Sequence, residues 1–551
     1  MTQTIMSGGE AMVLAAMANG ISTVFGIPGA QIYPMFDAMH RHNVQTIVTR
    51  HEQAAAYMAM GYAKATGQPG AFAVVPGPGV LNTTAALCTA MGTCTPLLCL
   101  TGQVPSAYLG SGRGHLHEIE DQTGTLKSLI KDAVHISDPA DTSTIVNGAF
   151  RTMLSGSPGP VSVEMCWDTM AQPANIAIGN GNAEIDQPQI DPDEIKAVAK
   201  LLANARNPMI MCGAGAQHAS ESITALAELL QAPVTAFRSG RGIVSEDHPL
   251  GVSSVAAREL FDEVDVLVGI GSRLEMIYMR WRDMEAYEAK PSGGPTLVRI
   301  DIDPQQMQRL VPDYPVIGDA DAACRALIAE LESKVQRNPD RAASIAKAKA
   351  KTHQAINKIQ PQMAYMDVIR EVLPRDGFYV PELSQMGFTS YYGLPIYEPR
   401  TYVTEGFQGT LGFGFQTALG VKVAEPDRAV VCVTGDGGFM FGVQELATAV
   451  AHNIGVVTLV FNNQAFGNVR RDQARMFDGR LTGAELHNPD FVKLAESFGA
   501  AGYRVSSPAA LKPVLEKAIA ADAPAVIEIP IDPDAETSPW EFIMLQDKPW
   551  A

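Results

Sequence analysis

Short apolar runs that end in glycine, aspartate or proline alternate along this chain with longer stretches whose apolar positions recur at helical spacing. Residues 70–75 and 97–102 are two such runs, and the strand-like run 44–48 leads into a helical pattern that begins near residue 54. In the middle of the chain 208–214, 264–271 and 296–302 are short and apolar and run into Gly or Asp, as parallel strands of a doubly wound sheet do. A charged helical stretch over 320–360 closes that part. The alternation predicts an α/β protein built from three doubly wound parallel-sheet domains. A linker rich in Gly, Asn, Pro and Asp at 170–192 sets boundaries of 1–170, 190–340 and 360–551 for an N-terminal, a central and a C-terminal domain.

One segment of this pattern carries chemistry. Residues 429–469 read as strand, Gly435-Asp436-Gly437-Gly438 turn, amphipathic helix of about four turns, second apolar strand and a closing Asn462-Asn463 pair. Glycines let the backbone turn sharply and approach an anion closely, and Asp436 offers the hard oxygen that magnesium prefers. A helix starting at the turn would aim its free N–H groups at the same spot. Asn463 follows Asp436 by 27 positions (436 to 463), the span of a βαβ unit, so the two can converge on one cation. Alone, each half is an ordinary turn or strand end; together they predict a site for a metal-held diphosphate.

Three further motifs stand upstream. Thr49-Arg50-His51-Glu52 lies at a strand-to-helix junction, where a glutamate by itself would only favour the helix dipole. Glycine-rich turns follow apolar strands at 24–31, containing Pro28, and at 76–82, containing Gly77. A third glycine-rich loop, 406–414, includes Gly409 and Leu411.

With these motifs the chain resembles the thiamin diphosphate-dependent, acetolactate synthase-like family of 2-oxo acid decarboxylases and carboligases, whose fingerprint opens on GDG and closes on NN at this distance. The resemblance runs over nearly the whole chain, including the phrase at 488–496. It implies that Asp436, the Asn463 side chain and the Ala465 carbonyl hold Mg2+, which holds the diphosphate. Pro28, Gly77, Gln385, Gly409, Leu411, Gly435, Gly437, Gly438, Phe466 and Gly467 would bind the cofactor, Leu411 by propping its bent shape. Glu52 would hydrogen-bond N1′ of the aminopyrimidine and shuttle a proton, a role suited to a buried carboxyl of raised pKa. In the family the cofactor lies across an interface between subunits, so a homodimer at minimum, and commonly a homotetramer, is implied.

The chain also departs from the family's pattern. Flavin-binding members carry an RFDDR-like phrase after a central-domain strand where this chain has Gly271-Ser272-Arg273-Leu274, so FAD is not carried over. Asp472 stands where acetolactate-forming members place a tryptophan, and an anion there would repel a carboxylate acceptor unless Arg470 or Arg471 compensates. His117 lies where relatives place a glutamine near the reacting carbon. It could exchange a proton with a hydroxyl there, His115 competes for the role, and the alternative is a solvated loop. Gln31 adds a polar group nearby. Several activities therefore stay open: a carboligase or decarboxylase acting on 2-oxo acids or aldehydes; an aldehyde or 2-hydroxyacyl-CoA lyase without decarboxylation; a flavin-dependent pyruvate oxidase-like enzyme; and, in another class, a dinucleotide-binding oxidoreductase or a noncatalytic nucleotide-binding protein. The last would use Gly213-Ala214-Gly215-Ala216 and Gly269-Ile270-Gly271, neither of which completes GxGxxG.

Composition narrows the partners. The 551 residues are 46% hydrophobic and carry a net charge of −18, which argues against nucleic-acid or anionic-membrane partners; the resemblance implies a small-molecule 2-oxo acid, aldehyde or acyloin-type substrate. No apolar run approaches the ~18 residues of a membrane helix, and residues 1–9 lack the basic and apolar regions of a signal peptide, so the cytoplasm is expected. Seven scattered cysteines without CxxC spacing read as reduced core thiols.

Overall fold

The computed structural model describes residues 3–181, 183–281, 293–331, 334–335 and 338–544. Its frame is three parallel sheets. The first takes β2 (Thr23–Gly26), β3 (Gln45–Val48), β4 (Gly70–Val74), β5 (Leu97–Gln103), β6 (Asp132–Ile136) and β7 (Val161–Cys166) in the order β3-β2-β4-β5-β7-β6; β1 (Thr4–Ser7) and β8 (Pro173–Ile176) pair separately and antiparallel. The second orders β9 (Met209–Cys212), β10 (Val234–Thr235), β11 (Val266–Ile270), β12 (Thr296–Asp301) and β13 (Tyr314–Ile317) as β10-β9-β11-β12-β13. The third orders β14 (Phe378–Pro381), β15 (Val430–Gly435), β16 (Val456–Asn462), β17 (Ala501–Arg504) and β18 (Ala525–Pro530) as β14-β15-β16-β18-β17. The fold is α/β, as the alternation predicts.

Continuous apolar strands arise because both faces of each sheet are covered. On β5, Leu97 and Cys99 feed one hydrophobic cluster while Leu98 and Leu100 feed another. On β15, Val430 and Cys432 alternate in the same way with Val431 and Val433. With successive side chains pointing to opposite faces, a two-sided burial leaves no polar alternation to read.

One of these clusters joins the first and third sheets. The helix Glu52–Thr66 packs along the helix Phe413–Ala424, and it places Tyr57 edge-on to Phe413 with ring centroids 5.7 Å apart. At the crossing, a Cβ on Gly61 would overlap the Thr417 carbonyl and one on Gly420 would overlap that of Met58. Gly420→Val should therefore lower the unfolding free energy by about 1–3 kcal/mol or more, read from denaturant midpoints, because two backbones and not a yielding side chain must move apart.

Glu382, next after β14, is buried and ties the third domain's loops together. Its carboxylate accepts hydrogen bonds from the Gly412 amide, the Gly414 amide (3.0 Å) and the Thr434 hydroxyl (3.2 Å). Burial nevertheless outweighs these donors and pushes its pKa from 4.5 up to about 7. A carboxyl whose folded pKa is raised binds its proton more tightly in the folded state, so stability present below the unfolded value is lost as pH rises through about 7. Unfolding free energy should decline between pH 5 and 8, and the decline should be shallower in Glu382→Gln, as paired denaturant titrations at the two pH values would show.

Two features differ from the sequence expectation. The crossover from β15 to β16 is not one helix of about four turns. It is a single turn, Asp436–Phe439, then a 3-10 turn, Val443–Glu445, and a short helix, Leu446–Ala451. Glycines at 437, 438 and 442 weaken helix formation, and Gly442 fits so closely that a Cβ would come within 2.6 Å of Gln416. The stretch 320–360 likewise resolves into two helices, Ala320–Leu331 and Arg341–Ile356. No described helix is long and apolar enough to cross a membrane.

Candidate active site

Neighbouring parallel strands release their following loops at one edge of a sheet, and β14, β15 and β16 are neighbours. Gly435 is in register with Phe461, so Asp436 and the Asn462-Asn463 pair emerge side by side. Around them lies a cavity of about 260 Å³ lined by Gln385, Gly409, Leu411, Gly435, Asp436, Gly437, Gly438, Asn463, Ala465, Phe466 and Gly467, together with Met386, Phe388, Val469 and Glu536.

The chemistry of this cavity fits a magnesium-held diphosphate. Asp436 is 1% exposed, and burial pushes its carboxyl above the ordinary range, an unfavourable state that a cation would relieve. Asn463, Ala465 and Asp436 line the cavity and carry amide, carbonyl and carboxylate oxygens, the donor type that hard cations select. The Gln385 side-chain oxygen is buried and has no hydrogen-bond partner among the described residues. At Gly437 a Cβ would stand 2.6 Å from the Phe466 ring, so only glycine keeps the turn open there. Because the helix after the turn is one turn long, its dipole adds little, and the cradle rests on individual backbone amides.

Glu52, Pro28, Gly77 and His117 do not line this cavity. They gather on the first sheet, where the loops after β2 and β4 leave adjacent strands at the point where strand order reverses. Glu52 opens its helix and accepts a hydrogen bond from Asn82 (2.9 Å). It is partly exposed in the single chain, which departs from the expected burial. The third domain fixes this junction from below, since both Glu445 carboxylate oxygens accept from the Arg50 amide at 3.1 Å and the Thr448 hydroxyl donates to the Val48 carbonyl at 3.3 Å. Gly77, at φ +61, donates its amide to Gln122 (2.8 Å), and a Cβ there would overlap the His117 carbonyl. His117 Nδ1 lies 3.1 Å from the Gln31 side-chain oxygen, while His115 lies against Tyr108 with ring centroids 5.1 Å apart and planes tilted by 31°.

Asp472 is not an uncompensated anion. Arg471 pairs with it at 2.8 Å, Asn468 donates to it at 3.2 Å, and Arg470 pairs with Asp534 at 2.8 Å. The repulsion expected of Asp472 is thus largely cancelled within its own helix, Gly467–Met476. In the central domain, Gly213 and Gly271 end the adjacent strands β9 and β11 so closely that a Cβ on Gly213 would overlap the Gly271 carbonyl. Together they line a cavity of about 150 Å³ with Arg238, Ser239 and Arg273.

Several partners at the site were not legible as such in the sequence. Asn488 donates to Asp436 Oδ2 (2.6 Å), Glu536 accepts from Asn463 Nδ2 (2.9 Å), and Glu382 and Glu445 hold the loops. Asn488 at least opens a distinctive phrase, whereas Glu536 sits in a polar tail with no periodic pattern.

Family models match in three parts: the N-terminal thiamine pyrophosphate-binding domain over residues 6–125, the central domain over 195–327 and the C-terminal binding domain over 383–529 of thiamine pyrophosphate enzymes. A probable acetolactate synthase large subunit of Methanocaldococcus jannaschii is 34% identical, over 97% of this chain and 93% of its own length. A probable 2-ketoarginine decarboxylase of Pseudomonas aeruginosa is 32% identical over 91% of this chain and 89% of its own. The acetolactate synthase large subunit of Haemophilus influenzae is 30% identical over 98% and 96%.

Proposed function

The chain belongs to the acetolactate synthase-like thiamine pyrophosphate enzymes, carboligases and decarboxylases, and from that premise we propose that its active site is completed between two copies of the chain. The observation that carries this is the split described above: the cavity gathers the diphosphate half, while Glu52, Pro28, Gly77 and His117 stand apart on the first sheet. Glu52 of one copy would face Asp436 of another. A homodimer is the minimum assembly that does this, and a homotetramer of two such dimers, in the cytoplasm, is the fuller proposal. The functional units are 1–170, 190–340 and 360–551.

Bound thiamin diphosphate supplies an electron sink for the carbon–carbon bond that is broken or made. Asp436, Asn463 and the Ala465 carbonyl would hold Mg2+ against its diphosphate, with Gln385 and the glycine turn completing the cradle. Leu411, Met386, Phe388 and Phe466 line the cavity and would exclude water from it. Glu52 holds or passes a proton at the aminopyrimidine N1′, and Asn82 fixes its orientation. His117, oriented by Gln31 through Nδ1, presents its other ring nitrogen for proton exchange with a substrate oxygen.

The substrate reading favoured is a 2-oxo acid, decarboxylated and then coupled to a second carbonyl, because the Arg471–Asp472 pair removes the electrostatic objection to a carboxylate acceptor. Two activities named among the relatives, acetolactate synthesis and 2-ketoarginine decarboxylation, define the first substrates to try. Reconstituted protein supplied with pyruvate or a guanidino 2-oxo acid should release CO2, with coupled product assayed separately. Turnover of acyloins or hydroxyacyl thioesters without CO2 would instead establish the lyase reading, and failure with every 2-oxo acid would overturn the favoured one. The glycine-lined central cavity leaves a flavin reading to test in the same preparation: flavin absorbance that tracks with activity would establish it.

A further inference from the structure

The segment after β18 crosses the helix Gly467–Met476 as a strap, held at several points. Arg470 pairs with Asp534 (2.8 Å), Arg471 donates to the Ser538 hydroxyl, and Trp540 donates its indole N–H to Asn468 (2.6 Å) and packs on Phe388 with ring centroids 4.9 Å apart. Farther back, Gln362 donates to the Thr537 carbonyl (2.7 Å) and Tyr392 to the Pro539 carbonyl (2.9 Å). Between these anchors the strap places one carboxylate, Glu536, at the cavity wall, where it accepts a hydrogen bond from Asn463 Nδ2 at 2.9 Å.

An amide has two ends of similar shape and opposite chemistry, and a cation can bind only the oxygen. In its ionised form Glu536 can only accept, so it takes the NH2 end of Asn463 and turns Oδ1 the other way. Oδ1 is also the atom that accepts from the Ala465 amide, at 3.2 Å, which draws Ala465, the third expected ligand, onto the same side. Asn488 steadies the other ligand in a complementary way, its Nδ2 binding Asp436 Oδ2 at 2.6 Å and Asn462 Oδ1 at 3.1 Å.

We propose that Glu536 is a positioning residue for the metal site, its hydrogen bond fixing the Asn463 amide with the oxygen toward the cation, so that the strap's docking sets the protein's affinity for Mg2+. The proposal rests on the magnesium reading given above. Partners of metal ligands in other proteins carry about 10–100-fold in metal affinity, and an effect of that size is expected here.

The test is a Mg2+ titration of full-length apo-protein at saturating thiamin diphosphate, read by calorimetry and by intrinsic fluorescence, for the wild type, Glu536→Ala, Glu536→Gln and Trp540→Ala. Glu536→Ala should raise the Mg2+ midpoint about 10–100-fold. Glu536→Gln, which can still offer an acceptor, should shift it less, and Trp540→Ala, which loosens the strap, should shift it in the same direction. Melting curves of the apo-proteins report folding separately. A Glu536→Ala midpoint within twofold of wild type would overturn the proposal, as would a loss of apo stability with the midpoint unmoved. A wild type that shows no Mg2+-dependent signal would overturn the magnesium reading and this proposal with it.

Discussion

Glu52→Gln is expected to lower kcat/KM by about 10²–10⁴-fold, the range carried by a positioned proton-transfer group, while leaving the melting temperature and cofactor affinity near wild type. The reason lies in what the side chain touches. Its carboxylate accepts from Asn82 and is otherwise partly exposed; it supports no core packing, and the strand-to-helix junction is held by Glu445 and Thr448 acting on the backbone of residues 48–50. Glutamine keeps the shape and one hydrogen bond but cannot hold or pass the proton. Asn82→Ala should cost less, since it removes an orienting donor and leaves the carboxylate. Steady-state kinetics beside melting curves separate the two effects, and a Glu52→Gln protein with wild-type turnover would remove the proposed role.

The second large effect is on binding and not on the chemical step. Asp436→Ala should weaken Mg2+-dependent thiamin diphosphate binding by more than about 100-fold, beyond what a ligand's partners alone carry. The same substitution should leave the apo-protein at least as stable as wild type near neutral pH, because it removes a carboxylate that burial disfavours in its ionised form. The sign follows from the raised pKa: below the ordinary carboxyl range the group is neutral in both states and the substitution gains nothing, and the gain appears as pH rises. Calorimetric titration and apo melting at two pH values would show both halves. Undiminished cofactor binding in this variant would mean that the diphosphate sits elsewhere.

What the sequence disclosed follows the physics of local signals. Glycines at 435, 437 and 438, the Asp436-to-Asn463 span and the apolar strands are contiguous patterns, and the structure gathers them at one cavity because β15 and β16 are neighbours in register. The broken crossover was less legible, since glycines at 437, 438 and 442, the last wedged against Gln416 of another helix, interrupt what periodicity alone would continue. The charge balance at Asp472 turns on the Arg471 rotamer, which no sequence pattern specifies. Glu536 was illegible because nothing near it in sequence announces a role, and Asn488, though it opens a distinctive phrase, was not marked as a site residue by it; they matter through atoms 73 and 52 positions away. The burial expected of Glu52 concerns a surface that a single chain leaves partly open, and in the proposed assembly a second copy covers it.

That assembly is the central claim, and subunit mixing tests it directly. Glu52→Gln and Asp436→Ala proteins, each strongly impaired at a cofactor concentration that just saturates the wild type, would be dissociated, mixed in equal amounts and allowed to reassociate, with hetero-assembly confirmed by tags of different mass. If each site takes Glu52 from one copy and Asp436 from another, a mixed dimer keeps one intact site and one doubly defective site, so random pairing should restore about a quarter of wild-type activity. Mixed dimers that form and show no activity above the single variants would contradict the account, because both halves of the site would then belong to one chain.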